Sequence, residues 1–585
     1  MSPLDRWLLR AATAPDAPAI ETAAGVVWSN RGLRARAAAL ASELRSVGVR
    51  PGDRVGLHLG ASAEYVAAIL GTWWAGAAFV VIDPAWPEDR RRNVLRQAAP
   101  SALIGAPFDD VPCVPHDADP LQSEGMLVAP GACAAQSEAW VLFTSGSTGQ
   151  PKGVRVSHAG LPTLVDAQID AFGLRPGDRA LFGLSIAFDA SLSDLLTALT
   201  AGATLVMAPT GLLADPPSLR DFLATRRVTH ADLPPALLAR LDPASLPSTL
   251  RVVVVGGEAS DPALLRVWAI TRRVVSVYGP TEATVCTSMA IVDPVGWDRP
   301  SIGTPLPKVR YRVVDATGTA VPFGVPGELL IGGPAVALGY CGPSDGGAAT
   351  RLPRALAERF FVEDDVRWYR TGDQVVAEPD GAYTWRGRLD RMVKVGGRLV
   401  EPGEVEVRLG SLPGVARCAV LPEGSPARRL VAYVVPTVPL EDVGRLPAQW
   451  DAALRALLPA FMVPGRIELR TSLPITASGK VELRSLTPPP EVVTPDPAEG
   501  PTAALCALWS RALGVRVGPH DDLTAAGRDS LSVLDVLAAA EAEGWGLGPG
   551  LASHGATVAE MVAAMLRPAD RAPAQPAAQD AGGEP

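Results

Sequence analysis

Residues 141–153 form the segment whose residue types are best suited to chemistry. A hydrophobic run ends at Phe143, and the polar loop after it contains glycines, hydroxyl residues and a lysine: Thr144, Ser145, Gly146, Ser147, Thr148, Gly149, Lys152 and Gly153. Glycine lets backbone N–H groups turn towards a polyanion, and the hydroxyls and the ammonium add donors. We interpret the loop as a phosphate cradle. Its spacing differs from that of the P-loop, and a flexible surface loop is the alternative.

Short apolar runs alternate with helical stretches over about the first 380 residues, a pattern typical of parallel α/β layers. Strands are predicted at 179–185, 203–207, 251–255 and 274–277. A helix is predicted to start at Ser191, with Asp194 completing a capping box, and another to open at Asp261 with Pro262 in its first position. The polar loops 187–190, 256–258 and 278–282 follow strands, where α/β proteins bind ligands. Together with the cradle they predict one nucleotide site.

The pattern of predicted secondary structure changes near Trp385. The large α/β region is assigned to 1–385 and a smaller α+β region to 386–486. Residues 487–501 contain six prolines and predict a stiff linker. A helical module follows at 502–567, and the Ala/Pro-rich tail at 568–585 is predicted to be disordered.

Composition excludes several classes of protein. The 585 residues carry a net charge of −9, which argues against a nucleic-acid platform, and the run Arg90–Arg91–Arg92 is interpreted as a solvated helix face. Six scattered cysteines show no zinc-site spacing and favour a reducing, cytoplasmic location. The uncharged stretch 65–82 is interrupted by glycines and is interpreted as a core helix and strand, not a membrane span. The N-terminus does not have the pattern of a signal peptide.

Taken together, the motifs resemble those of an adenylate-forming enzyme, and more closely the amino-acid-activating adenylation domain of a nonribosomal peptide synthetase followed by a peptidyl carrier domain. The matching stretches are 144–153, 188–191, 278–282, 327–340, 369–373, 387–390 and 478–480. The resemblance implies a large N-terminal α/β domain, a small mobile α+β subdomain and a helical-bundle carrier. It also implies ATP, Mg²⁺ and 4′-phosphopantetheine as cofactors.

The resemblance assigns a role to each polar loop. Tyr278 would stack on adenine, Thr281 would serve the α-phosphate, Glu282 would hold Mg²⁺, Asp373 would bind the ribose hydroxyls and Arg388 would lie near ribose and phosphate. The whole set assigned to the nucleotide is Thr144, Ser145, Gly146, Ser147, Thr148, Gly149, Lys152, Gly257, Glu258, Tyr278, Gly279, Thr281, Glu282, Asp373 and Arg388.

Three further residues are implied to be catalytic. Lys480 would bridge the attacking carboxylate and the phosphoryl oxygens in the first half-reaction. Asp390 would be the hinge about which the small subdomain rotates, and Lys394 would lie on the face that meets the site during transfer to a thiol. The segment 397–399 departs from the peptide-synthetase pattern and is more similar to that of acyl-CoA ligases.

The implied substrate is an amino acid, because Asp189 would pair with its α-ammonium. The pocket positions carried over are Asp189, Ala190, Ser193, Asp232, Val254, Gly256, Val277, Val285, Cys286 and Lys480. Gly256 is expected to leave depth, and Asp232 at the floor invites a donor or a cation. A long polar side chain, glutamine-like or arginine-like, is therefore favoured, with an aromatic residue bearing N–H or O–H as the alternative.

The segment 527–531, Gly-Arg-Asp-Ser-Leu, resembles the carrier motif, with Ser530 as the phosphopantetheine attachment site. The implied partners are a phosphopantetheinyl transferase, a condensation or tailoring enzyme in trans, and a small MbtH-like activator protein. The predicted activity is amino-acid adenylation and loading onto the chain's own carrier. An acyl-CoA ligase and a non-catalytic carrier scaffold are the alternatives.

Overall fold

The computed structural model describes residues 1–109, 111–115, 134–144, 151–258, 260–341, 358–389, 391–395, 398–423, 429–474, 486, 501–513, 517–519, 523, 536, 539–540 and 557–565. The chain divides into two compact units, Met1–Leu486 and Thr487–Pro585. The structure confirms the predicted α/β class of the first unit.

The strands of the described residues, in chain order, are β1 Pro18–Glu21, β2 Val27–Ser29, β3 Arg54–His58, β4 Ala78–Val81, β5 Ala102–Gly105, β6 Cys113–Val114, β7 Glu138–Thr144, β8 Lys152–Ser157, β9 Arg179–Phe182, β10 Thr204–Met207, β11 His230–Asp232, β12 Val252–Val255, β13 Arg273–Tyr278, β14 Ser288–Ile291, β15 Ser301–Pro305, β16 Arg310–Val314, β17 Pro326–Gly332, β18 Gly339–Tyr340, β19 Phe360–Glu363, β20 Val366–Ala377, β21 Tyr383–Arg388, β22 Val393–Val395, β23 Arg398–Val400, β24 Val415–Glu423, β25 Arg429–Pro436 and β26 Arg466–Leu469.

The α-helices of the same residues are α1 Pro3–Thr13, α2 Asn30–Ser46, α3 Ala63–Ala75, α4 Glu88–Ala98, α5 Leu161–Phe172, α6 Asp189–Ala201, α7 Pro216–Thr225, α8 Pro235–Leu238, α9 Pro262–Ala269, α10 Pro402–Gly410, α11 Leu446–Leu457, α12 Pro501–Leu513 and α13 Val558–Met565.

Two large sheets pack around shared helices. The strands β1, β10, β9, β11, β12 and β13 lie side by side and parallel in the first sheet, and antiparallel strands extend it at both ends. The second sheet has the order β18-β8-β7-β4-β3-β5-β6. Side chains from both sheets and from α2, α3 and α6 form one apolar core. This architecture directs the carboxyl ends of the parallel strands towards a common edge, where ligands bind in such folds.

Helix α3 follows directly from its sequence. Ser62 caps it by accepting a hydrogen bond from Tyr65 N, and Gly76 ends it in the left-handed region at φ 85°. Strand β4 comes next, so the apolar stretch is a core helix and a core strand, as predicted. No helix in the described part of the chain is long and apolar enough to cross a membrane.

Two sequence-based interpretations were wrong in detail. Helix α6 begins at Asp189, not at Ser191, because Phe188 is extended and the helical turn starts immediately after it. The Ser191 hydroxyl does not cap the helix and instead donates to the carbonyl of Phe188 at 2.6 Å. The prediction of a solvated face for the arginine run also fails for Arg90, which is only 6% exposed.

The predicted start of α9 is confirmed. Asp261 caps this helix, accepting a hydrogen bond from Ala263 N at 2.9 Å.

The first unit contains two lobes. The N-terminal lobe comprises α1 to β21, and the C-terminal lobe comprises β22 to β26 with α10 and α11. The C-terminal lobe has its own core, built on Val405, Leu409, Trp450 and Leu454 around β24 and β25. In the second unit, α12 and α13 share a core that includes Leu508, Trp509 and Met561.

Candidate active site

Strand β13 brings an aromatic hydroxyl to a carboxylate on β20. Tyr278 Oη donates a hydrogen bond to Asp373 Oδ2 at 2.6 Å. The other oxygen, Oδ1, accepts from Trp385 Nε1 and from the guanidinium of Arg388, each at 3.1 Å. Burial, together with the charge of Asp373, raises the pKa of Tyr278 far above its usual value, so its hydroxyl stays a donor. Asp373 is thus a carboxylate held at the centre of three donors.

A second buried cluster connects Glu282 with Lys152. Tyr340 Oη donates to Glu282 Oε1 at 2.8 Å, and Lys152 Nζ lies 5.4 Å from the centre of the Tyr340 ring. The pairing of β18 with β8 places Tyr340 opposite Val154, two residues beyond Lys152. All three functional side chains are buried. A carboxylate suited to Mg²⁺ and an ammonium suited to phosphate therefore share one aromatic neighbour.

The described ends of the phosphate loop lie opposite each other. Thr144 ends β7 and pairs with Lys152 at the start of β8. The Thr144 hydroxyl is buried and, among the described residues, has no hydrogen-bond partner. The predicted loop residues between them lie outside the described residues: Ser145, Gly146, Ser147, Thr148 and Gly149.

Asp189 is the first residue of α6 and joins the 278–282 loop through a hydrogen bond with Thr281. Its Oδ2 is buried without a hydrogen-bond partner in the described part of the chain. Burial raises the pKa of Asp189 to about 6, and the charge of Glu282 acts in the same direction. The Thr281 hydrogen bond and the charge of Lys394 oppose this rise. A carboxyl in this state binds a cation readily, because a cation offsets the cost of its burial.

The predicted pocket positions on the large sheet share one face. Asp232 lies opposite Val254 in the parallel register of β11 and β12, so both side chains point the same way. Val254 belongs to the core that contains the apolar residues of α6, and that face is therefore turned towards α6. Gly256 lies beyond the end of β12, and a Cβ there would be 2.5 Å from Val277 Cγ2. Close packing against Val277, rather than free depth, is the constraint that the structure shows for Gly256.

The remaining predicted pocket positions lie on α6 and after β13. Ala190 and Ser193 are on α6, and Ser193 Oγ donates to Gln168 Oε1 at 2.8 Å. Val285 has φ 66°, a rare conformation for a β-branched residue, and Cys286 beside it is buried. Burial raises the pKa of the Cys286 thiol to about 12. This thiol therefore stays protonated and adds no charge to this part of the site.

A tight turn links these positions to Tyr278. A Cβ on Gly279 would lie 2.5 Å from Val285 O and 2.7 Å from Cys286 Cα. Gly257, at φ 80°, and Glu258 occupy the neighbouring loop after β12. The two loops therefore approach the site from adjacent strands.

The C-terminal lobe contributes a lysine to the same region. Burial lowers the pKa of Lys394 on β22, and the nearby charge of Arg388 acts in the same direction. The charges of Asp373, Glu258 and Asp189 oppose this effect and raise the pKa. The guanidinium of Arg398 on β23 lies 5.9 Å from the Phe188 ring centre and 4.5 Å from that of Phe461. The β22–β23 hairpin therefore faces the site. Asp390, Lys480 and Ser530 lie outside the described residues.

The sequence matches the AMP-binding enzyme family over residues 8–341, more than half of the chain. The chain belongs to the AMP-binding enzyme family. The AMP-binding enzyme C-terminal domain matches residues 404–480, and the phosphopantetheine attachment site family matches residues 503–565. The order of these matches is that of an adenylation–carrier didomain of the nonribosomal peptide synthetase type.

Several relatives of this AMP-binding enzyme are peptide synthetases. It is 36% identical to a linear gramicidin synthase protein of Brevibacillus parabrevis over 87% of this chain, but spans only 10% of that protein. It is 34% identical to novobiocin biosynthesis protein H of Streptomyces niveus, with 95% of each chain covered. The solved structure of holo-PA1221, a nonribosomal peptide synthetase protein containing adenylation and PCP domains, matches with a TM-score of 0.80 and 26% identity, covering 96% of each chain.

The family uses ATP, generally with Mg²⁺, and its carrier domain bears 4′-phosphopantetheine. The described residues fit the nucleotide. The unpartnered Thr144 hydroxyl suits a phosphate oxygen, and the buried Glu282 suits a divalent cation. The oxygens of Asp373 suit ribose hydroxyls. To accept from them, Asp373 must release one of its three donors or let a ribose hydroxyl share an oxygen with that donor.

Sequence reasoning missed three polar residues of the site. Tyr340 was noticed only as the end of a motif stretch and Trp385 only as the point near which the small subdomain begins, yet each donates to a predicted site carboxylate. Asp194 was interpreted as a capping residue, whereas it is buried within α6. The usable signal for Asp194 was a charge in an otherwise uncharged helical stretch, since such a charge is rarely buried without a purpose.

Proposed function

We propose that this chain activates an amino acid with ATP as an aminoacyl-adenylate, releasing pyrophosphate, and loads it as a thioester onto the phosphopantetheine arm of its own carrier domain. The observation that carries the proposal is Asp189, a carboxyl with one buried, unpartnered oxygen beside Thr281. An amino acid brings an ammonium that satisfies this oxygen, and a simple carboxylic acid does not.

In the first half-reaction, an oxygen of the substrate carboxylate attacks the α-phosphorus of ATP, and the bond to pyrophosphate breaks. Asp189 fixes the α-ammonium, which orients the carboxylate. Thr281 contacts the α-phosphate, Glu282 holds Mg²⁺, and Lys480 stabilises the charge that is shared by the carboxylate and phosphoryl oxygens. Positioning and charge stabilisation are the main contributions of a protein to phosphoryl chemistry.

In the second half-reaction, the thiol releases its proton to solvent, a C–S bond forms at the acyl carbon, and AMP leaves with the electrons of the C–O bond. When bound at Ser530, 4′-phosphopantetheine supplies the thiol, and its tether raises the local concentration. Lys394 supplies positive charge beside Asp373 on the nucleotide side. Rotation of the C-terminal lobe about Asp390 exchanges Lys480 for the β22–β23 hairpin between the two steps.

Intact-mass spectrometry of the holo-protein tests the complete proposal. The chain is produced with a phosphopantetheinyl transferase and incubated with ATP, Mg²⁺ and each member of an amino-acid panel. We expect one amino acid to add its acyl mass to the arm, and Ser530→Ala to abolish the gain while preserving pyrophosphate exchange. Lys480→Ala is expected to reduce exchange severely.

Three results would contradict the proposal. Thioester on free coenzyme A rather than on the protein would indicate an acyl-CoA ligase. Absence of exchange with every amino acid, with or without an MbtH-like activator protein, would favour a carrier scaffold. Near-normal exchange in Lys480→Ala would refute the role given to that lysine.

The proposal also includes a partner. A condensation or tailoring enzyme, acting in trans, receives the loaded amino acid.

A further inference from the structure

An aspartate lies inside α6 without a hydrogen-bond or ion-pair partner among the described residues. Residues 191–201 of this helix are all buried. Asp194 is 9% exposed, and its Oδ2 is fully buried without a hydrogen-bond partner among the described residues. No described lysine, arginine or histidine acts on the pKa of Asp194, and the neighbouring charge that does is that of Asp232. Aspartate is rarely buried to this extent unless it is paired, so its presence needs an explanation.

A second carboxyl approaches Asp194 from the sheet. Asp232 ends β11, and its register opposite Val254 turns its side chain towards α6. Burial raises the pKa of Asp232 to about 7. Burial and then the nearby charge of Asp232 raise the pKa of Asp194 well above its usual value. No hydrogen bond joins the two carboxyls in the described structure, so a donor is needed to bridge them.

The carboxyl pair lies on the side of α6 that carries a predicted pocket position. Asp194 follows Ala190 by four residues on α6, so the two residues lie on the same face of the helix. The thiol of Cys286 lies close enough to feel the charges of both Asp232 and Asp189, each of which raises its pKa in addition to the effect of burial. Cys286 therefore lies near both Asp189 and Asp232.

We propose that Asp194 and Asp232 together bind the cationic side chain of a basic amino acid, an ammonium or a guanidinium. The inference rests on the proposed function, and it adds Asp194 as a specificity-determining residue. A cation with three or more N–H donors can satisfy both carboxyls and remove their mutual repulsion. A neutral amide offers two donors and no charge, and an apolar side chain leaves both carboxyls unpaired.

The test measures kcat and KM in pyrophosphate exchange for arginine, ornithine, lysine, glutamine, glutamate and leucine. We expect a basic amino acid to have the highest kcat/KM, about 30-fold or more above that of glutamine. Asp194→Asn and Asp232→Asn should each raise KM for the basic substrate about 30-fold, with kcat changed much less. Asp194→Glu, which retains the charge, should recover part of this loss.

Asp221→Asn is the matched control, because Asp221 lies on the exposed side of α7 and pairs only with the adjacent Arg220 within the described residues. It should behave as the wild type. Preference of the wild-type chain for a neutral or acidic amino acid would overturn the inference and leave the proposed function standing. An unchanged KM in Asp194→Asn would also overturn it. Failure of exchange with all six amino acids and with the remaining proteinogenic ones would overturn the proposed function itself.

Discussion

The ion pair between Arg90 and Glu404 predicts how the two lobes cooperate. Arg90 lies on α4 of the N-terminal lobe, and Glu404 lies on α10 of the C-terminal lobe. Arg90 NH1 and Glu404 Oε1 are 3.2 Å apart, and the two side chains are only 5% and 1% exposed. The guanidinium also lies 5.2 Å from the centre of the Trp86 ring. The pair therefore holds the lobe orientation in which Lys394 faces the site.

Replacing Glu404 by Gln removes the charge that compensates the guanidinium. Burial lowers the pKa of Arg90, and the charge of Glu404 acts against this effect. Breaking one partner of a buried ion pair costs about 3–5 kcal/mol. Rotation of the C-terminal lobe would expose Arg90 to water, so the cost falls on this lobe orientation more than on folding. A change of about 3 kcal/mol shifts such an equilibrium by about 150-fold.

The assay separates the two half-reactions. For Glu404→Gln we expect carrier loading to slow by about 100-fold, while pyrophosphate exchange stays within about threefold and the Tm changes little. Glu88→Gln is the control: Glu88 pairs with Arg92 on the same helix, but at 55% and 45% exposure, and loading should stay within about twofold. Normal loading in Glu404→Gln would refute the reasoning. An equal loss of both half-reactions with a lower Tm would show that the ion pair stabilises the fold and does not select the lobe orientation.

Three further predictions concern the N-terminal lobe. Burial places the pKa of Asp189 at about 6 and that of Asp232 at about 7. Because an ammonium binds the ionised form of Asp189, kcat/KM for the amino acid should fall about tenfold per pH unit below 6, in addition to the fall that protonation of Asp232 causes from about pH 7 downwards. The charges facing this carboxyl are Glu282, which raises its pKa, and Lys394, which lowers it. Asp373→Asn should raise the KM for ATP about tenfold or more in exchange assays, because one acceptor oxygen becomes a donor. Gly279→Ala should lower Tm and exchange together, since a Cβ would lie 2.5 Å from a backbone oxygen, an overlap that costs about 1–3 kcal/mol or more.

Each of these predictions has a clear contrary result. A flat pH profile from 5 to 8 would exclude Asp189 as the ammonium partner, and Asp189→Asn should remove the part of the fall that lies below pH 6 if the assignment is right. An unchanged ATP KM in Asp373→Asn would exclude it as the ribose acceptor. Gly60→Ala is the control for the glycine substitution, because a Cβ there meets nothing within 4 Å. Equal Tm losses in the two glycine variants would contradict the packing argument.

Sequence reasoning worked best where local signals were strong. The four strand ranges that were predicted lie within a few residues of β9, β10, β12 and β13, and Asp261 caps α9 as predicted. It failed at α6, where the extended Phe188 decides the helix start and Ser191 only resembles a cap. It failed again for Arg90, because the partner that makes burial tolerable is Glu404, 314 residues away.

By itself the sequence determined the order of the elements, the polar loops after the strands and the family, because these depend on residue types at short spacing. Only the tertiary structure decided which carboxyls meet which donors. Tyr278, Trp385 and Arg388 converge on Asp373, and Asp194 is left facing Asp232. Burial is the reason: the energy of a charge depends on its neighbours in space, and those neighbours come from strands and helices far apart in the chain.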